Sequence, residues 1–318
     1  MTQTQLSLGA PLVDRVSDGA TSSPPARRSA RTTRSLRRAA EGSTGATPAG
    51  PLVYATLALS VLLAAGPLYY MVVMASRPNS DITSLPPPLT PGAMLAENVG
   101  RVFANQDVMF GQAMVNSVLV AGAATVSVVV LSALAGFAFA KLRFKGRNAL
   151  LLIVVGTMMV PVQLGLVPLY MLMGKLGLAG SLPSALLPFL VSGFGVFMMR
   201  QYAAQAIPDE LIEAARVDGA STTRIFFSVV FPVLRPAAAV LGLLTFMERW
   251  NDFLWPYLTL DAEHPTVQVA LSRLSGGYYT DQALVMAGTL LGTLPLVVMF
   301  VVFGRQIIGG IMQGGVKG

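Results

Sequence analysis

The chain contains no cysteine. Disulfides, thiolate nucleophiles and cysteine-based zinc sites are excluded together. A single histidine, His264, removes His-rich metal chemistry as well. It lies in the polar stretch Asp261–Pro265 and reads as a solvated loop side chain rather than a ligand. Charge is scarce too: 12% of the 318 residues are Asp, Glu, Lys or Arg, where a soluble domain carries about 25%. That deficit does not fit a water-facing surface over most of the length. There is no G-x-S-x-G elbow and no metal-spaced cluster, so the reading assigns no catalytic residue and no metal site. Nor is there a G-x-x-x-x-G-K-[ST] loop to cradle a triphosphate.

What the chain does have is apolar length. Hydrophobic residues make up 53% and the mean hydropathy is +0.63, which places it in the membrane class. A bilayer core takes about 20 apolar helical residues. Six segments qualify: Leu52–Ala75, Val115–Ala140, Ala149–Met173, Leu182–Met199, Pro236–Leu260 and Leu284–Phe303. Prolines within them (Pro67, Pro161, Pro168, Pro188) are tolerated where neighbouring helices recover the freed backbone groups. Small residues recur on helix faces at Ala133–Gly136–Ala140 and Gly288-x-x-x-Gly292, and they permit close helix approach.

The charge of +7 is placed by topology. With the N-terminus inside, seven arginines precede the first span. Four basic residues then separate spans two and three, four separate spans four and five, and two follow the sixth. The outside segments hold four, and Arg249 is intramembrane. The positive-inside rule therefore predicts both termini cytoplasmic, and the positive charge needs no nucleic acid to explain it. Residues 1–50 are rich in Ser, Thr, Ala, Pro and Arg and read as a disordered basic cytoplasmic tail. Its arginines could attract anionic membrane lipid, but topological anchoring alone accounts for them. The segment Ser76–Met114 carries Pro86-Pro87-Pro88 and Pro91, which predicts a stiff, extended start.

The informative stretch lies between spans four and five. From Ile207 to Pro236 it reads as two short helices and a turn. Pro208 suits a first helical position, and Asp209 and Glu210 complement the helix dipole. Asp218-Gly219 is a turn pair, and Ser221 can cap the second helix. About thirty ordered residues exceed what a connector needs. On physical grounds two readings stand: a docking element for a cytoplasmic partner, or an interfacial helix pair packed under its own bundle.

In the fifth span, Glu248 and Asp252 are four apart and share a helix face, with Arg249 three before Asp252. Counted from Pro236, Asp252 falls about 24 Å along the helix, in the outer half. Ionisable groups in a span usually face a cavity or a partner. These residues read either as a pathway lining, with Trp250 or Trp255 offering an aromatic face to a solute, or as a structural ion pair at a subunit seam. The second reading is slightly favoured.

Glu213-Ala214-Ala215, then Asp218-Gly219-Ala220, then Pro232 resemble the EAA signature of binding-protein-dependent ABC importer permeases. Trp250-Asn251-Asp252-Phe253-Leu254-Trp255-Pro256 is similar to the fifth-span motif of the carbohydrate branch. Gly314-Gly315-Val316-Lys317-Gly318 is similar to the tail of its maltose-type second permease. The resemblance covers about residues 51–318. It implies an all-α, six-helix, type I importer permease fold in a bacterial inner membrane, with a coupling loop at 201–236. It also implies a homologous second permease, cytoplasmic ATP-binding subunits that hold ATP and Mg, and an extracytoplasmic solute-binding protein. The coupling residues would be Glu213, Ala214, Ala215, Asp218, Gly219 and Pro232. Glu248, Trp250, Asn251, Asp252 and Trp255 would be pathway residues. No cofactor is expected on this chain, and it is not expected to be an enzyme. A proton-coupled secondary transporter working through Glu248 and Asp252 would leave the ordered loop unexplained.

Overall fold

The computed structural model describes residues 50–276 and 280–315, with side chains described as far as Gly304. The expected tail at residues 1–49 and the closing Val316-Lys317-Gly318 lie outside the described residues, as do Gly277, Tyr278 and Tyr279. Among the described residues there is no strand; a single isolated bridge joins Gly180 to Leu260.

The helices in chain order are α1 Pro51–Ala75, α2 Asn79–Ile82, α3 Leu95–Ala104, α4 Phe110–Lys141, α5 Arg147–Thr157, α6 Leu166–Lys175 and α7 Leu182–Leu186. They continue as α8 Gly193–Ala206, α9 Asp209–Val217, α10 Thr222–Ile225, α11 Phe231–Trp250, α12 Leu254–Thr259, α13 Val267–Ser275 and α14 Gln282–Gly315. Among the described residues, five helical runs are long and apolar enough to cross a membrane, or six when the bent pair α5–α6 is counted as one span. The six segments read from the sequence correspond to these runs.

The chain divides into two compact units at Leu62–Leu63, inside α1. The described part of the first unit is the N-terminal half of α1, in which every residue is exposed. Everything that follows concerns the second unit.

Its packing is centred on α4, which lies against α8 and α11, and α11 lies against α14. Small residues set the α4–α8 crossing. A Cβ on Gly136 would sit 2.6 Å from Met199 Cβ and 2.7 Å from the Arg200 nitrogen. One on Gly195 would meet Ser132 Oγ and Cβ, so both glycines are fixed by close approach. The Gly288-x-x-x-Gly292 face packs differently from a span-to-span seam. Its neighbours are Leu271, Leu274 and Val267 of the short helix α13.

Three of the expected spans change shape. The third is broken: α5 ends at Thr157, a 3₁₀ turn spans Val162–Gly165, and α6 leaves at 87° to α5. Pro161 precedes that turn, and a proline cannot supply the backbone N–H that a continuous helix would need there. The fourth is interrupted by a 3₁₀ turn at Leu187–Phe189 before α8 begins, capped by Ser192 Oγ accepting from Gly195 N–H. The fifth starts earlier and stops earlier than expected, running from Thr222 to Trp250. The segment after α1 is also less extended than its prolines predict, since α2 precedes the proline run and α3 follows it.

Candidate functional site

Two arrangements stand out, one around residues 207–236 and one around Arg249. In the first, Pro208 is the N-cap of α9, so the helix starts one residue later than expected, at Asp209. Asp209 accepts a hydrogen bond from Lys141 Nζ at 2.6 Å, tying α9 to the end of α4. That hydrogen bond and the lysine's charge hold the Asp209 carboxyl below its ordinary range.

The helix ends in a paired cap. Gly219 N–H donates to Arg216 O and Ala220 N–H donates to Ala215 O, both at 3.0 Å. Such a cap needs a left-handed residue after the helix, and Gly219 supplies it with φ of 76°. Ser221 Oγ then accepts from Arg224 N–H and starts α10.

The second helix is not a separate short one, which corrects the two-helix reading. It runs through a π turn at Phe226–Val230, where Phe231 N–H donates to Phe226 O, directly into α11. Pro232 and Pro236 therefore end nothing; they lie inside the long helix. The π turn reassigns the backbone bonds just where Pro232 withholds its donor.

This segment has a buried base and a bare rim. Ile207, Ile212, Ile225, Phe226, Val230 and Leu234 are buried with Phe137, Met199 and Ala203 of α4 and α8. Phe226 touches the rings of Phe137 and Phe231, at 5.8 and 5.9 Å between centroids. Fully burying an apolar side chain of this size contributes about 1.5–3 kcal/mol, so the base is firmly seated. Glu213, Ala214, Asp218 and Gly219 face outward, Ala215 is half-buried, and Val217 is 88% exposed. A Cβ at Gly219 would meet nothing within 4 Å. Five of the six sequence-predicted residues thus gather on one short helix and its cap, while Pro232 sits apart in α11.

The second arrangement centres on Arg249. Its guanidinium contacts Glu248, bonds Asp252 Oδ2 at 3.0 Å, and lies 4.0 Å from the centroid of the Phe189 ring. Asp252 lies beyond the end of α11, because Asn251 is the C-cap. The expected shared helix face of Glu248 and Asp252 is replaced by a shared cation. Asp252 Oδ1 accepts from Trp255 N–H and leads into α12. Asn251 bonds its own turn at Met247 O and receives Gln268 Nε2.

The expected aromatic platform finds no exposed indole. Trp250 is 1% exposed, donates Nε1–H to Gly292 O and stacks on Phe246. Trp255 is 2% exposed and donates to Ser184 O. Their polar edges are satisfied inside the bundle, as buried indoles require.

Beside this cluster, the break in the third span opens a cleft of about 880 Å³. Its wall includes Thr157, Pro161, Val162, Pro168, Pro188, Ser192 and Glu248. A smaller cavity of about 240 Å³ shares Val162 and Glu248 and adds Gln163, Arg249 and Asp252. Sequence reasoning missed Phe189 as the partner of Arg249, since nothing local links positions sixty residues apart. The cleft had a signal in Pro161, which alone does not separate a kink from a break.

An apolar helical bundle with a bare, glycine-capped rim and a largely apolar cleft bearing Glu248 at a broken span fits a multi-pass membrane transport subunit. The family described as "Binding-protein-dependent transport system inner membrane component" is matched by residues 128–307. The lactose transport system permease protein LacG of Rhizobium radiobacter is 36% identical over 265 residues, covering 83% of this chain and 95% of the relative. The arabinooligosaccharides transport system permease protein AraQ of Bacillus subtilis is 32% identical, covering 79% and 90%. The sn-glycerol-3-phosphate transport system permease protein UgpE of Yersinia pestis is 33% identical, covering 81% and 94%. A crystal structure of a bacterial ABC transporter involved in alginate import contains a chain of the same fold, with TM-score 0.69 at 23% identity over 89% of this chain and 99% of that one. The chain belongs to the binding-protein-dependent transport system inner membrane component family. It is an inner-membrane transport subunit rather than an enzyme.

Proposed function

We propose that this chain forms half of the transmembrane pathway of an ATP-driven importer for a sugar or oligosaccharide and passes the work of ATP hydrolysis to it. The other half is a homologous permease. ATP and Mg are held by cytoplasmic ATP-binding subunits, an extracytoplasmic solute-binding protein delivers the cargo, and lipid surrounds the bundle. Both termini and the 201–236 loop face the cytoplasm in this reading, as the basic loops require.

The observation that carries it is the rim of α9. Glu213, Ala214, Asp218 and Gly219 are exposed on a helix whose other face is locked into the bundle. A surface that is small, polar at its edges and rigidly based suits an element pushed by another subunit. Relatives named for lactose and arabinooligosaccharide transport support a carbohydrate cargo. The cleft bearing Glu248 is assigned to the solute path. Asp252 and Trp255 line the cavity that adjoins it, while Asn251 and Trp250 stay outside both and hold the neighbouring turn and bundle.

Gly219→Asp tests the reading. Open space around Gly219 admits the side chain, and a left-handed non-glycine residue costs about 1–2 kcal/mol, so insertion is preserved. In the reconstituted transporter, hydrolysis stimulated by the sugar-loaded binding protein should fall at least about tenfold, the equivalent of roughly 1.4 kcal/mol in coupling. Stimulated hydrolysis at the wild-type rate would sink the proposal.

A further inference from the structure

The cleft at the broken third span is electrically one-sided. Glu248 is the one charged residue among those lining the 880 Å³ cleft. It also lines the two cavities, of about 240 and 90 Å³, that share walls with it. Its side chain is 69% exposed, while that of its cation Arg249 is 11% exposed. Arg249 is already engaged by Glu248, by Asp252 and by the face of Phe189. Two carboxylates share one guanidinium, and the member presented to the cleft is the Glu248 carboxylate.

We infer that Glu248 makes this cleft select for neutral, hydroxyl-rich cargo and against phosphorylated or uronic-acid carbohydrate. The inference rests on the assignment of the cleft to the solute path. A carboxylate accepts charge-assisted hydrogen bonds from sugar hydroxyls. An anionic solute meets like charge between low-dielectric walls, among them Val160, Pro161, Leu169 and Pro188, where the field is focused rather than screened. Arg249 offers no relief, because both its edge and its face are occupied. The relatives leave this choice open, since one is named for an anionic cargo, sn-glycerol-3-phosphate, and others for neutral saccharides.

The absence of cysteine permits a direct test. Val162 lines the cleft and the adjoining cavity and is 61% exposed, so Val162→Cys removes no buried packing. In the assembled transporter in liposomes, this thiol is reacted with a trimethylammonium and with a sulfonate methanethiosulfonate. The mass of this chain reports each rate, normalised to a small free thiol. The cation-to-anion rate ratio should exceed one by about tenfold and should collapse toward one in Glu248→Gln, where the Arg249–Asp252 pair remains. Equal rates with Glu248 in place would overturn charge selection and leave the pathway standing. A thiol inert to both reagents would overturn the pathway assignment itself, while sugar-stimulated hydrolysis still reports separately on the importer reading. If Glu248→Gln does not assemble, the ratio measured with Glu248 present decides alone.

Discussion

The 207–236 segment and the broken third span both depart from straight helices, yet they are packed in opposite ways. The first buries Ile207, Ile212, Ile225, Phe226, Val230 and Leu234 against α4 and α8. In the second, α5 and the 3₁₀ turn bury no residue, and α6 buries Met173 alone. The proposed coupling role suits the first, since an element that receives a push needs a closely packed base. The proposed pathway role suits the second, since a wall of a path can stay bare where lipid or another subunit completes it.

The largest expected effect lies at the base. Gly136→Val should remove most of the folded subunit recovered from membranes by size-exclusion chromatography, because its Cβ would collide with Met199 Cβ and backbone nitrogen of Arg200. Overpacking costs about 1–3 kcal/mol and occasionally more, and a collision with backbone leaves little room to relax. Recovery at the unaltered level would break the comparison at its firmest point.

A smaller effect is expected at the Lys141–Asp209 tie. Asp209 is held below its ordinary range by Lys141, so its contribution is present at neutral pH, above the unfolded value. It is lost as pH falls through the lower folded value, below the usual aspartate range near about 3.9. Melting temperature followed on acidification should show this loss in the native chain and not in Asp209→Asn. Stability that rises on acidification would contradict the sign. The smallest effect belongs to the wall: Leu152, 72% exposed on α5, should tolerate Leu152→Ala with a change within about 0.5 kcal/mol in detergent. A large loss there would show that α5 is packed after all.

Much of this was legible in the sequence because it is local. Hydropathy found the spans, and Asp218-Gly219 with Ser221 foretold the cap and the next helix start. The rim at Glu213 and Ala214 was readable from small residues between acids. The misses come from contacts that sequence does not carry. Pro161 was visible, but an 87° break depends on what neighbouring elements leave unfilled. The fifth span was read as running to Leu260, yet Asn251 caps the helix and a separate one, α12, begins at Leu254. The tryptophans were read as available rings, and their burial depends on Gly292 and Ser184, far along the chain.

The π turn gives the long helix a mechanical character. From Thr222 to Trp250 the helix counts 29 residues, a rod of about 43 Å. One end adjoins the Gly219 cap and the other carries Glu248 and Arg249. Tilting such a rod by about 10° about one end displaces the other by roughly 7 Å, more than a full helical turn of rise. Phe226–Val230 is the irregular turn in that rod, with Phe226 in contact with the rings of Phe137 and Phe231. Under the proposed coupling, its stiffness would set how much of a displacement at the cap arrives at the cleft and how much is absorbed as bending.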